Sequence, residues 1–380
     1  MKVFAGILGL IFLLVVLWDA FETIILPRRV TRRFRLARLF YRTTWRIWSA
    51  IARRVRIAQI RESLLSYFGP LSLLSLFALW AVALIFAFAL LHWGAGSAVN
   101  FSGEASSFRT DLYLSGTTFF TLGLGDVIPR TPLARAITVA EAGLGFGFLA
   151  IVVSYLPVLY GSFSARELNI SLLDARAGSP PTAAELLRRH SHFPDARVLT
   201  HYLRDWEIWS AQLMESHLSY PVLCYFRSQH DNQSWLAAFT AVLDVSALII
   251  AYGDGEAKWQ AQLTFAISRH AIADLCQVLN VPPAAPPSDR LPPADLTQVK
   301  ELLQKCRASG CGGTADLKLK ELREMYESYL FGLSLRLLMP LPSWGVGGSY
   351  VENWKSTAWG RISSDTPGSA SGDEKSSGHF

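Results

Sequence analysis

The sequence predicts an all-α membrane protein: three transmembrane helices, a short re-entrant helical segment between the second and third, and an α-helical C-terminal domain. Three observations carry this. Of 380 residues, 51% are hydrophobic and 17% charged, against about 25% charged in a soluble domain. Three apolar runs, Val3–Leu26, Leu71–Trp93 and Leu133–Tyr160, are long enough to cross about 30 Å of hydrocarbon. One basic block, residues 28–62, holds twelve arginines, one acid (Glu62) and no lysine, a charge of +11 in a chain whose total is +6.

Only Lys2 precedes the first run and no small-x-small site follows it, so it reads as a retained span and not a cleaved signal. The basic block orients the rest. Positive residues stay on the cytoplasmic side, which puts the N-terminus outside, residues 94–132 on the outer face and the long C-terminal region in the cytoplasm. Leu36, Phe40, Ile47, Ile51 and Val55 form a helical stripe among the arginines. Such a helix lies on the inner leaflet against anionic lipids. Membrane-length runs on both sides argue against nucleic acid, and irregular arginine spacing argues against a voltage sensor. Trp45 and Trp48, and at the outer end His92-Trp93, suit membrane interfaces. Asp19 and Glu22 are expected to pair with Arg28, Arg29 or Arg32.

Residues 108–120 are apolar but too short to span, with Ser106 or Ser107 as helix cap. Thr121-Leu122-Gly123-Leu124-Gly125-Asp126 follows directly. Gly123 and Gly125 alternate, which frees the backbone to turn successive carbonyls to one side. A row of such oxygens can replace the hydration shell of a cation, and the Thr121 hydroxyl can extend it. The C-terminal end of the short helix adds partial negative charge.

A span, a short re-entrant helix, Thr-x-Gly-x-Gly-Asp and a second span resemble the pore module of potassium channels, over about residues 65–160. The resemblance implies a selectivity filter at Thr121, Leu122, Gly123, Leu124, Gly125 and Asp126, with potassium ion as its ligand. It implies a homotetramer, since one pore loop cannot close a four-sided filter. The third span then becomes the pore-lining inner helix, with Gly145 as hinge, Pro157 as kink, and Phe146, Leu149, Val153 and Pro157 facing the pore. The chain departs from the commonest pattern at Leu122 and Leu124, where valine and tyrosine are usual. It also departs at Phe120 and at Tyr113-Leu114, which replaces a tryptophan pair. Close packing is an equal reading for Gly143, Gly145 and Gly147.

Glu141 lies inside the third run. A carboxyl there is costly and functional by default; it is expected behind the pore helix, bonded to Thr117 or Thr118, where it governs gating and filter stability. The later sequence reads as helical at 183–189, 196–217, 234–251 and 317–338, with a proline-rich loop at 281–293. Neither a glycine-rich nucleotide-binding unit nor a metal-ligand spacing among His190, His192, His201, His217 and His230 is recognisable, and Cys224, Cys276, Cys306 and Cys311 read as free thiols. The domain reading is therefore 1–27 first span, 28–64 basic amphipathic linker, 65–160 pore module, 161–342 helical cytoplasmic domain and 343–380 disordered tail. The function expected is a potassium-selective channel subunit of the cell membrane, not an enzyme. The alternatives are a non-selective monovalent cation channel on the same scaffold and a membrane-anchored sensor. The orientation is directly testable: a tag before Met1 should be reached from outside intact cells and one after Phe380 should not. External labelling of a cysteine placed at Arg42 would overturn it.

Overall fold

A computed structural model describes residues 2–26, 35–96, 98–100, 107–190, 196–229, 232–305 and 313–345. The chain divides into two compact units, 1–161 and 162 onward. The first contains α1 (Lys2–Ile24), α2 (Leu36–Arg54), α3 (Ala58–Ala95), β1 (Ala98–Asn100), α4 (Phe108–Phe119) and β2 (Val127–Pro129), and the second begins within α5 (Pro132–Ala177). It continues with α6 (Ala183–His190), α7 (Ala196–Ser219), α8 (Trp235–Tyr252), α9 (Gly255–Leu279), α10 (Pro293–Lys305), α11 (Gly313–Glu324) and α12 (Glu327–Leu337).

In the first unit α1 lies along α3 at backbone distance. A Cβ on Gly94 would come within 2.7 Å of Gly6 Cα, and one on Gly9 within 2.8 Å of the Ala87 carbonyl. Small residues allow this approach where no water-driven collapse holds helices together. The membrane-length run 71–93 is only part of α3, which starts at Ala58 because Leu65 and Phe68 bury against α2. Hydropathy marks the depth of hydrocarbon and misses the helix beyond it. The basic helix ends at Arg54, short of the end of the basic block at residue 62; Val55 and Ile57 are extended.

The packed face of α2 differs from the expected stripe. Ala37, Trp45, Ser49 and Ala52 are buried, while Ile47 and Ile51 are exposed. Trp45 is not an interfacial anchor: it is enclosed, with its ring 4.8 Å from that of Phe68. Trp48 donates to the Leu64 carbonyl at 3.0 Å. The exposed isoleucines leave a second apolar face beside the arginines.

Asp19 joins all three helices. Its carboxylate accepts from the Ala37 backbone N–H at 3.1 Å, at the start of α2, and from the Trp80 indole at 3.1 Å on α3. Glu22 accepts from Trp18 at 2.7 Å and lies 3.6 Å from Arg35. Arg28, Arg29 and Arg32, the expected partners of these acids, lie outside the described residues. The all-α expectation also misses one feature: β1 and β2 pair antiparallel, Ala98 with Pro129 and Asn100 with Val127, closing the loop around α4.

In the second unit α8 is the core. Among the described residues four helices are long and apolar enough to cross a membrane, α1, α3, α5 and α8, and α8 is wholly enclosed by protein. It packs against α6, α7, α9, α11 and α12. The expected helix 317–338 breaks at Met325–Tyr326. Tyr326 turns inward there and donates to Asp244 on α8 at 2.6 Å. Arg290 meets the same carboxylate at 2.7 Å, and Arg290 and Arg323 both stack over the Trp344 ring. Trp344 is fully buried, so the start of the tail expected from residue 343 is packed against the core, and residues 346–380 lie outside the described residues. Its short apolar anchor was hidden in a Gly/Ser-rich composition.

Arg166, at the start of the unit, is buried and donates to the carbonyls of Leu223 (3.0 Å) and Phe226 (3.1 Å) and to Glu167. Burial, with Arg166 alongside, holds His217 well below the ordinary imidazole range. Burial pushes the Cys224 thiol up to about 12, which makes it unreactive. Cys276 is also free and buried, whereas Cys306, Cys311, His192 and His230 lie outside the described residues.

Replacing Asp19 by alanine leaves the Ala37 and Trp80 N–H groups unpaired in a buried site. A loss of about 1–3 kcal/mol is expected, read as a lower Tm of the protein in detergent. An unchanged Tm would show that the three-helix junction does not depend on this carboxylate.

Candidate functional site

Ser107 caps α4, its hydroxyl accepting from the Thr110 N–H at 3.4 Å. The helix ends at Phe119, and the backbone then changes character. Thr121 (φ 58°), Gly123 (φ 56°) and Gly125 (φ 77°) are left-handed, with Leu122 and Leu124 between them. Alternating handedness reverses the backbone rotation at each step and brings successive carbonyls toward one side. Glycine adopts this without cost. Thr121 does not: a β-branched residue in this region is a steric outlier, at a cost of about 1–3 kcal/mol. It is held by Thr121 N–H to the Thr118 carbonyl (2.9 Å) and Leu122 N–H to the Thr117 carbonyl (2.7 Å). No sequence signal singles out a threonine for this conformation.

Asp126 follows, accepting from the Val127 N–H at 3.1 Å. Tyr113 reaches the Asp126 carboxylate from α4. A hydroxyl of the short helix therefore faces the Asp126 end of the segment, although no tyrosine stands within the segment itself. Residues 120–126 are all exposed in the single chain, Leu122 and Leu124 at 62% each. Phe146, Leu149 and Val153 on α5 are also exposed, at 68%, 59% and 62%, and Pro157 with them. One chain thus leaves a continuous apolar and backbone-polar face uncovered.

The ring of Phe148 on α5 lies 5.8 Å from that of Phe119 on α4, and two further residues of α5 meet α4. Gly145 is one: a Cβ there would overlap the Phe119 carbonyl oxygen. Gly143 and Gly147 meet nothing within 4 Å. Of the two readings of these glycines, Gly145 carries close packing at the point where α4 ends.

The other is Glu141, fully buried. Its partners are not Thr117 or Thr118. Ser115 bonds one carboxyl oxygen and His92 Nε2 lies 3.0 Å from the other. Thr117 stands two residues on from Ser115, about 200° around the helix, and its hydroxyl turns back to the Tyr113 and Leu114 carbonyls. His92 is likewise no interfacial anchor; it is 1% exposed. A histidine followed by tryptophan at the end of an apolar run looks interfacial, and only the partner helix reveals otherwise. Asp111, on α4, is also buried, and neither of its oxygens has a hydrogen-bond partner among the described residues. No group of His, Cys, Asp and Glu suited to a metal ion occurs among the described residues.

Comparison with known proteins agrees with this geometry in class. Residues 74–159 match a family model described as "Ion channel". The chain is also 25% identical over 250 residues to "Uncharacterized membrane protein YdjJ" of Bacillus subtilis (strain 168), covering 65% of this chain and 72% of that protein. No solved structure matches. The matches support an ion-channel module within a membrane protein, and point to a protein that is not an enzyme.

The glycines give a graded test. Gly145→Ala should lower the Tm in detergent strongly, because the added methyl meets backbone and not a movable side chain, whereas Gly143→Ala and Gly147→Ala should be tolerated. Equal stability of all three variants would contradict close packing at residue 145.

Proposed function

We propose that this chain is one subunit of a homotetrameric potassium-selective channel, with Thr121, Leu122, Gly123, Leu124, Gly125 and Asp126 as its filter. The observation that carries the reading is the left-handed backbone at every second residue from Thr121 to Gly125, directly after a short capped helix. Such a backbone offers several carbonyl oxygens where a potassium ion must lose its water. The Thr121 hydroxyl extends the row inward.

Tetramerisation follows from the same face. Leu122, Leu124, Phe146, Leu149 and Val153 are exposed on one chain, and four copies around an axis would enclose them while opening a path between them. Pro157 lies on that face of α5 further along. It removes one helix hydrogen bond and favours a bend, which suits a gate. Gly145 sets where the inner helix presses on the pore helix.

The orientation proposed is N-terminus outside and the C-terminal helical unit in the cytoplasm. The arginine-rich α2 then lies at the inner leaflet, with Ile47 and Ile51 toward the acyl chains and the guanidinium groups toward anionic headgroups. A non-selective cation channel is the second reading, favoured by one observation. Leu124 stands where a tyrosine is common in potassium filters, and the bracing hydroxyl comes instead from Tyr113 on the pore helix.

Purified protein in liposomes decides between them. Potassium-selective flux is expected, with a reversal potential in mixed potassium and sodium that follows the potassium gradient. Reversal near zero voltage under opposed gradients would establish the non-selective reading. Gly123→Ala should abolish flux in correctly assembled protein; normal flux in that variant would remove the filter assignment.

A further inference from the structure

Behind the short helix, four polar side chains meet in a space that water does not reach: His92 from α3, Ser115 and Asp111 from α4, and Glu141 from α5. Their exposures are 1%, 0%, 1% and 0%. A buried polar group without a partner is costly, so the way these four share hydrogens is informative.

Ser115 has one hydroxyl hydrogen and two neighbours that can accept it. The Ile85 carbonyl lies 2.7 Å from its oxygen, and a carboxyl oxygen of Glu141 lies on its other side. The carbonyl can only accept. If Ser115 donates to it, the Glu141–Ser115 bond needs its hydrogen from Glu141, which must then be the protonated acid. The second Glu141 oxygen lies 3.0 Å from His92 Nε2 and can accept from it. His92 Nδ1 has no partner among the described residues, which suits a bare lone pair on a neutral ring better than an N–H of a charged one. The contacts therefore close with one extra proton, held on Glu141.

A second arrangement is reached by losing that proton to water. With Glu141 ionised, Ser115 turns its hydrogen to the carboxylate and releases the Ile85 carbonyl. Asp111, both of whose oxygens are unpartnered among the described residues, lies within electrostatic reach of His92. The charged group from α1 that faces the cluster is Lys2, toward Asp111.

We infer that His92, Ser115, Asp111 and Glu141 form a proton-binding site whose occupancy regulates the candidate filter from behind. The coupling is mechanical. One helical turn beyond Glu141, Gly145 presses on the Phe119 carbonyl, and two residues later the left-handed segment begins. In the protonated state Ser115 ties α4 to both α3 and α5. Ionisation gives up the tie to α3 and leaves charge at the contact. The stabilisation belongs to the protonated form, so it is present at low pH and is lost as pH rises through the titration. The effect on conduction rests on the channel reading; the proton site itself does not.

Two measurements on the full-length protein keep those apart. Infrared difference spectra of the purified protein across pH read the carbonyl stretch of a protonated carboxyl group. A band that disappears as pH rises is expected in the wild type and should be missing in Glu141→Gln. Asp111→Asn, which removes an acid whose negative charge would oppose ionisation of Glu141, should move its midpoint to lower pH. In liposomes, wild-type cation flux should fall as pH is raised. Glu141→Gln, an uncharged mimic of the protonated acid, should hold the acid-side flux at every pH. A wild-type band that persists in Glu141→Gln, or a midpoint unmoved in Asp111→Asn, overturns the site. Wild-type and Glu141→Gln fluxes with the same pH response overturn its coupling to conduction. Titration of the band without flux at any pH upholds the site and sinks the channel reading.

Discussion

The contact between Gly145 and the carbonyl of Phe119 governs the first unit. The short helix α4 ends there, and the chain next enters a conformation that a threonine resists. A strained backbone persists only where its surroundings over-determine it. The surroundings here are the carbonyls of Thr117 and Thr118, which hold the N–H groups of Leu122 and Thr121. Those carbonyls are fixed only as long as α4 is fixed. Glycine at position 145 lets α5 support α4 directly through backbone, with no flexible side chain between them.

Buried acids do related work at two levels of the same unit. Asp19 gathers α1, α2 and α3 through an indole and a backbone N–H. Glu141 gathers α3, α4 and α5 through a histidine and a serine. Both are in surroundings where water cannot compete, so each hydrogen bond holds position more firmly than it would at a surface. The close glycine contacts between α1 and α3 belong to the same logic: helices that gain little from hydrophobic association rely on close backbone approach and polar links.

The second unit is built on the opposite balance. Its α8 is buried along its whole length, so the hydrophobic effect organises it. One acid, Asp244, penetrates this core and is met by Tyr326 and Arg290. Burial by itself would lower the proton affinity of Arg290, but the Asp244 carboxylate outweighs it and the guanidinium is held above its usual range. Arg290 and Arg323 then cover Trp344, which closes the described end of the chain against the core.

The sequence by itself determined the apolar runs, the basic block, the short capped helix after Ser107 and the glycine alternation that follows it. Each of these is a local property: periodicity, cap chemistry or backbone permissiveness along a single stretch. It also identified Glu141 as a residue requiring a partner, because a carboxyl among apolar residues has a cost wherever it points. It did not find that partner. Ser115 and Thr117 differ by two residues in sequence and by most of a half-turn in direction, and His92 comes from a helix forty-nine residues away. Tertiary structure alone decided these matters, along with the burial of Trp45 and Trp344, the left-handed Thr121 and the pairing of β1 with β2. The physical reason is common to all of them: which groups meet depends on how helices rotate about their axes and approach one another, and that is set by contacts between distant segments.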